Sequence, residues 1–120
     1  MQGWLKDKTY ERLLQDRAKS PEFHLHDGPP FANGDAHVGH ALNMVLKDIV
    51  LKSRSMMGKK TPFVPGWDCH GLPIEHKVVT EEKLVGAEPA VIRKKCEEVA
   101  RYFIQRQKEQ FQRLGVLGDW

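Results

Sequence analysis

The sequence has 120 residues and a formal net charge of +3, which suits one domain of ordinary size and is compatible with a nucleic-acid partner without indicating one. Its two cysteines, Cys69 and Cys96, lie far apart and predict no disulfide framework, so a reducing cytoplasmic location is expected. No apolar run is long enough to cross a bilayer, and the residues after Met1 lack the apolar core of a signal peptide.

The first half of the chain predicts a helix, a strand and a second helix. A short polar helix is predicted over residues 8–19, and it stops before Pro21 because the residue preceding a proline avoids the α region. A strand is expected over residues 22–26, where apolar and polar side chains alternate. After a Gly/Pro-rich turn, a long helix is predicted from Val38 to Gly58, where its basic last turn ends.

This long helix carries a regular apolar stripe. The apolar residues recur at spacings that alternate between three and one, which predicts the face that the helix buries. The members of the stripe are Val38, Ala41, Leu42, Val45, Leu46, Ile49 and Val50.

The second half of the chain predicts one more strand and two more helices. Residues 61–67 are extended, although their prolines each remove a ladder donor. A helix is expected over residues 74–84, and a last, long helix opens at Pro89 and ends at Gly115. Its buried face is predicted to contain residues 92, 96, 99, 103, 111 and 114.

Strand, helix and strand over this distance predict a right-handed βαβ unit with parallel strands, and therefore an α/β fold. Two parallel strands cannot cover their own edges or bury both faces. We therefore expect the first part of a Rossmann-like nucleotide-binding domain with a long C-terminal helix, and not a complete domain. Residues 1–21 are interpreted as a helical extension and residues 22–120 as the incomplete domain.

The turn that leads into the long helix carries the strongest functional signal. A helix N-terminus offers unpaired N–H groups and a positive dipole end, which suit a phosphorylated ligand. His37 and His40 share one helical face, so both can reach the same anion. Gly39 leaves room for a flat ligand, and Asn33 and Gly34 tolerate the positive φ of a tight approach. The alternative is that the two histidines only cap and pack at the helix start.

A second group of residues suits a small apolar ligand that carries an ammonium group. The bare backbone of Gly28 and the rigid ring of Pro29 form a preset wall. Asp68 follows the second strand, so a parallel unit places it beside the first loop, where it can pair with an ammonium. The alternatives are a stiff turn at Gly28-Pro29 and a turn-forming Asp68 next to a packed Trp67.

The sequence does not favour a metal site. Cys69 and His70 are adjacent, and Cys96 lies on the apolar stripe of the last helix. No pair has the spacing that tetrahedral zinc sites use. Basic residues on the last helix could contact RNA phosphates, although nothing singles them out.

Several stretches together resemble the class I aminoacyl-tRNA synthetases. His37-Val-Gly-His40 is similar to the H-I-G-H signature of that class. Asp27-Gly-Pro-Pro-Phe-Ala-Asn-Gly34 and Gly66-Trp-Asp-Cys-His-Gly-Leu-Pro-Ile-Glu75 resemble its isoleucyl branch in particular. Arg113-Leu-Gly-Val-Leu-Gly-Asp-Trp120 does so as well. The resemblance identifies the incomplete domain as the N-terminal half of the class I catalytic domain.

The resemblance implies that the longer enzyme activates isoleucine with ATP, in the presence of Mg²⁺, and transfers it to tRNA(Ile). His37 and His40 would then act on the ATP phosphates and the α-phosphorus. Gly39 would lie against the adenine, and Asn33 and Gly34 would lie close to the nucleotide.

For the amino acid, the resemblance implies that Asp68 and the Gly28 backbone hold the ammonium group and that Pro29 lines the side-chain pocket. Two departures from the family pattern are mild, namely Val38 in place of isoleucine and Ala36 in place of a bulkier residue.

Other parts of the family pattern are absent from these residues. The K-M-S-K-S loop does not occur, and there is no room for an editing domain or for anticodon-binding helices. We therefore expect the 120-residue chain to have at most feeble adenylation activity, and to fold poorly by itself because its apolar stripes need further strands. Two alternatives stay open: another H-x-G-H nucleotidyltransferase, or a non-catalytic module that binds tRNA or a protein through the last helix.

Overall fold

A computed structural model describes residues 2–120, apart from the side chains of Gln2 and Leu5. The described residues form five helices. They are α1 (Gln2–Lys6), α2 (Thr9–Asp16), α3 (Val38–Met56), α4 (Leu72–Glu81) and α5 (Pro89–Arg113). Across residues 2–120, none of the helices combines the length and the apolar content needed to cross a membrane.

The chain divides into two compact units. The first unit comprises Met1–Gly28, Ala36–Pro65 and Gln110–Trp120, and the second comprises Pro29–Asp35 and Gly66–Glu109. The first unit therefore contains α1, α2 and α3 with the end of α5, whereas the second contains α4 and most of α5.

The predicted helices are confirmed, with shifts of a few residues at their ends. α3 begins at Val38 and α5 begins at Pro89, as local capping signals indicate. Gly58 and Gly115 follow α3 and α5 with φ of 86° and 90°, the left-handed conformation that favours glycine after a helix. The predicted helix over residues 8–19 corresponds to α2, and α1 was not predicted.

The face of α3 that packs in the first unit is not the predicted one. Its buried residues are Met44, Asp48, Leu51 and Ser55, which recur at spacings of four and three and so form a stripe of their own. Most of the predicted stripe is exposed: Leu42 retains 61% and Ile49 55% of its accessible surface. Val38, Val45, Leu46 and Val50 are exposed too.

Polar contacts select this face of α3. Asp48 pairs with Lys52 and accepts the Leu117 N–H at 3.1 Å, and Lys52 Nζ donates to the Gly115 carbonyl at 2.9 Å. These bonds hold the segment after α5 against α3. The strongly apolar face is consequently left without a covering layer among the described residues, which is characteristic of an interaction surface.

The two predicted strands do not form ladders in the described residues. A single parallel bridge joins Glu22 to Lys60, with the Phe23 N–H donating to the Lys60 carbonyl at 2.8 Å and the Lys60 N–H to the Pro21 carbonyl at 3.1 Å. The parallel sense agrees with the prediction, but the βαβ unit is not confirmed. Prolines at 21, 62 and 65 remove donors on both segments, and two strands alone are marginal.

The second unit has its own apolar core. Ala32, Ile74, Val78 and Ala100 are buried and join α4 and α5 to the loop that contains Ala32. Trp67, Cys69, Leu84, Cys96, Val99, Phe103 and Ile104 pack around them. Cys96 is thus a core residue, as predicted.

The buried face of α5 was predicted only in part. Phe111 is fully buried in the first unit, as expected, but Leu114 is half exposed. Gln107 is fully buried in the second unit, although a polar residue is not expected there from periodicity.

Two substitutions on α3 test which face is packed. Leu51→Ala removes a buried side chain and is expected to lower the free energy of unfolding by about 2–4 kcal/mol. Ile49→Ala, two positions away on the exposed face, should change it by less than about 0.5 kcal/mol. Urea unfolding followed by circular dichroism measures both values, and a larger loss for Ile49→Ala would show that the apolar stripe is the packed face.

Candidate functional site

His37 and His40 cap the N-terminus of α3 in the first unit. The Gly39 N–H donates to His37 Nδ1 at 3.1 Å, and the His37 N–H donates to His40 Nδ1 at 3.3 Å. The two rings are stacked, with centroids 3.8 Å apart and planes at 26°. The histidines therefore do come together, and part of what they do is the capping that the alternative reading predicted.

Capping also determines which ring nitrogen can serve a ligand. A nitrogen that accepts a hydrogen bond cannot carry the proton of a neutral imidazole, so the proton lies on the other nitrogen. Because Nδ1 accepts in both His37 and His40, Nε2–H is the donor in both neutral rings. When the rings are neutral, two Nε2–H donors thus lie at a helix N-terminus, where an anion is already favoured by the dipole.

Gly39 is required by the His37 ring. A Cβ built at Gly39 would lie 2.9 Å from His37 Cε1 and 3.1 Å from His37 Nδ1, closer than side chains normally approach. A residue with a Cβ at this position would require the His37 ring, which accepts the capping hydrogen bond, to move. Glycine at position 39 therefore makes room for the His37 ring of the same chain. Its contact with a flat ligand stays a prediction.

Burial and charge both favour the neutral form of His40. Partial desolvation lowers the pKa of His40 below its ordinary value of 6.5, and repulsion from His37 lowers this pKa further. His40 therefore stays a neutral Nε2–H donor over a wider pH range than a free histidine.

Gly28, also in the first unit, has an ammonium partner that the sequence did not indicate. Lys47 Nζ on α3 donates to the Gly28 carbonyl at 3.1 Å and forms an ion pair with Asp27. The other carboxylate oxygen of Asp27, Oδ2, is buried without a hydrogen-bond partner among the described residues. The Lys47 ammonium thus already contacts the Gly28 carbonyl, which the sequence predicts to bind the ammonium group of a ligand.

In the second unit, Asp68 lies beside the Phe31 segment, as predicted. A parallel bridge joins Phe31 to Asp68, with the Asp68 N–H donating to the Pro30 carbonyl at 2.9 Å and the Ala32 N–H to the Asp68 carbonyl at 3.2 Å. The Asp68 side chain accepts the His70 N–H at 3.1 Å through Oδ1. This bond fixes the carboxylate in a turn, as the structural alternative predicted, and occupies one of its two oxygens.

Asn33 and Gly34 lie on the same segment of the second unit, but not in the predicted conformation. Neither adopts a positive φ, and a Cβ at Gly34 would meet nothing within 4 Å. Pro29, at the start of this unit, is exposed. The segment is shaped by hydrogen bonds to α5 and not by glycine conformation.

Those bonds come from two neighbouring residues of α5 that the sequence did not single out. Gln107 Nε2 donates to the carbonyls of Phe31 and Gly34 at 3.1 and 2.7 Å. Arg106 pairs with both carboxylate oxygens of Asp35 at 2.9 and 2.8 Å. The sequence of a charged helix does not show which of its residues bind a loop, because these contacts depend on which loop packs against the helix.

Among residues 2–120, no group of three or more histidine, cysteine or acidic side chains is arranged to hold a metal ion. Burial raises the pKa of the Cys69 thiol, and the Asp68 carboxylate raises it further. A thiol of this kind is a poor metal ligand and a poor nucleophile.

The sequence model for the class I tRNA synthetases of the isoleucine, leucine, methionine and valine group (I, L, M and V) matches residues 1–120. The chain belongs to this family of class I synthetases. Isoleucine–tRNA ligases are among its relatives, and that of Methylacidiphilum infernorum is 62% identical over 117 residues. The ligase of Thermotoga maritima is 55% identical over 122 residues, and that of a Sulfurihydrogenibium species is 52% identical over 122.

The matched region is a small part of those class I synthetases. It covers 98% of this chain for the Methylacidiphilum and Sulfurihydrogenibium proteins and 100% for the Thermotoga protein. The chain spans about 13% of the length of each relative.

The capping geometry makes a prediction about His40 in this class I synthetase chain. Its pKa, measured by NMR titration of the ring protons, is expected to lie below 6.5 and to rise in His37→Asn, because asparagine can still cap but carries no charge. Since the unfolded chain then binds the proton more readily than the folded one, the free energy of unfolding should fall as the pH drops below 6.5.

His26→Asn is the matched control, since His26 is exposed and lies outside the cap. It should leave the pKa of His40 unchanged. A His40 pKa at or above its ordinary value, or one that ignores His37→Asn, would contradict the stacked, desolvated pair.

Proposed function

We propose that the chain is part of an isoleucine–tRNA ligase, which activates isoleucine with ATP to isoleucyl-adenylate and transfers it to tRNA(Ile). The observation that carries this proposal is the His37–His40 pair, whose capped Nδ1 atoms leave two Nε2–H donors at the start of α3. Relatives named isoleucine–tRNA ligase, 51–62% identical to the chain, support the choice of substrate. The family model over all 120 residues supports the class of enzyme.

In the first unit, His37 and His40 are assigned to the phosphates of ATP. During attack of the carboxylate on the α-phosphorus, negative charge develops on the phosphoryl oxygens. Preorganised donors at a helix N-terminus stabilise that charge without reorganisation. Because both rings donate while neutral, this function does not need protonated histidine. Gly39 keeps the donors in place by making room for the His37 ring.

Gly28 and Pro29 are assigned to the amino acid, Gly28 through its carbonyl and Pro29 as a wall of the side-chain pocket. The carbonyl now accepts from Lys47, and its second lone pair can accept from the ammonium of isoleucine.

In the second unit, Asp68 is assigned to the same ammonium group, and Asn33 and Gly34 to the nucleotide. The bond from His70 N–H fixes the Asp68 carboxylate through Oδ1, and the ammonium would pair with its other oxygen. An ammonium–carboxylate hydrogen bond is among the stronger polar contacts because both groups are charged.

ATP acts as its magnesium complex in this proposal. Magnesium sites in nucleotide-binding proteins use one or two carboxylates together with the phosphates, and not an all-protein cage.

The fold of the longer protein completes the proposal. We infer that the parallel bridge between Glu22 and Lys60 becomes part of a βαβ unit when further strands are present. Those strands would cover the exposed stripe of α3. Residues 1–21 remain assigned to a helical extension and residues 22–120 to the N-terminal half of the catalytic domain.

The function can be tested in a chimera in which this chain replaces the matched 122 residues of the Thermotoga maritima enzyme. Isoleucine-dependent ATP–pyrophosphate exchange is expected, with valine, leucine and methionine weaker. The double variant His37→Asn/His40→Asn should lower kcat about 100-fold or more, because donors to the transition state are lost. His26→Asn should be neutral.

The same chimera separates the amino-acid site from the alternatives. Asp68→Asn keeps the acceptor for the His70 N–H but removes the charge, so it should raise the KM for isoleucine about tenfold or more. Exchange that does not depend on any amino acid would favour another nucleotidyltransferase. RNA binding that survives loss of both histidines, without exchange, would favour a non-catalytic module.

The 120-residue chain alone is expected to catalyse exchange feebly at most, since it is 13% of the length of its relatives. Purified chain and chimera, assayed side by side, measure the difference. Comparable rates would overturn the view that further segments are needed.

A further inference from the structure

Gln107 is the most deeply buried polar residue described in the second unit. None of its surface is accessible, and every polar atom of its amide has a partner. Its Oε1 accepts the Trp67 indole N–H at 2.9 Å, while its Nε2 donates to the carbonyls of Phe31 and Gly34. One side chain thus connects the Trp67 stretch to both ends of the segment 31–34.

The two carbonyls bracket Asn33. Holding a loop at both ends restricts the backbone between them, and a fully satisfied buried amide resists rearrangement because breaking any bond leaves a polar group unpaired. The nearby Arg106–Asp35 pair cannot do the same. Both of its side chains are about half exposed, and exposed ion pairs contribute little. Backbone hydrogen bonds to Asp68 also hold the loop near Phe31, whereas the Gly34 carbonyl is held by Gln107.

We propose that Gln107 is a positioning residue for the nucleotide: it holds the segment 31–34 in the conformation that binds ATP. This inference rests on the proposed function, which assigns Asn33 and Gly34 to the nucleotide. Gln107 itself lies beneath the loop and need not contact ATP. A loop that reaches its binding conformation only part of the time binds ATP more weakly by that fraction.

ATP titration of the Thermotoga maritima chimera described above tests the proposal, with the Trp67 indole observed by NMR, because the 120-residue chain is expected to fold poorly alone. Gln107→Met has nearly the same shape but loses all three hydrogen bonds, and it should raise the Kd for ATP about tenfold. The Trp67 indole N–H resonance should shift in the same variant, since its acceptor is gone. Gln105→Met, an exposed glutamine two positions away, should leave the Kd and the indole resonance unchanged.

Gln107→Glu keeps the proposal testable if Gln107→Met loses helical structure. A carboxylate facing two carbonyl oxygens repels them, whereas a protonated carboxyl can donate to one of them. ATP affinity relative to the unsubstituted chimera should therefore be low at neutral pH and recover as the pH falls. The unsubstituted chimera, titrated over the same range, corrects for protonation of ATP and of the histidines.

Each outcome separates the two proposals. If the unsubstituted chimera binds ATP and neither Gln107 variant changes the affinity, the positioning role is overturned and the proposed function stands. If the unsubstituted chimera does not bind ATP at millimolar concentration, the nucleotide assignment fails and the positioning role fails with it. His40→Asn should weaken ATP binding without moving the Trp67 indole resonance. This result would show that the contact of His40 with the phosphates is separate from the effect of Gln107 on the loop.

Discussion

The first backbone N–H groups of α3 have no partners within the helix, and this constraint shapes the start of the helix. His37 and His40 satisfy it with their Nδ1 atoms, which stacks the rings and requires glycine at position 39. Because both Nδ1 atoms accept backbone hydrogen bonds, the Nε2–H groups of the neutral rings are left to donate to a ligand. Capping and phosphate binding are therefore compatible, because they use opposite nitrogens of the same rings.

Charged contacts play an unusually large part in how α3 is packed. Asp48 and Lys52 bind the segment after α5, and Lys47 binds Asp27 and Gly28. These contacts orient the helix so that its most apolar face is left exposed. An uncovered apolar stripe of this size among the described residues is characteristic of an interaction surface.

In the second unit, a buried amide side chain and not a charged contact holds the loop. The loop segment 31–34 buries Ala32 but leaves Phe31 41% exposed, and it is held by the Gln107 amide of α5 together with backbone hydrogen bonds to Asp68. A buried glutamine with all its partners gives a more specific geometry than apolar packing would, because hydrogen bonds are directional. Such a device suits a loop that must present a defined surface to a ligand.

The sequence by itself determined the helices from α2 onward and the family, and it named the residues for which chemical roles are proposed. These follow from local rules: prolines and glycines mark helix ends, and the H-x-G-H motif with its flanking loops is specific. Only the tertiary structure decided which face of α3 is packed, that Lys47 reaches Gly28, and that Gln107 holds the loop at residues 31–34. Those outcomes depend on which segments meet across long separations in the chain, and periodicity along one helix contains no information about the partner.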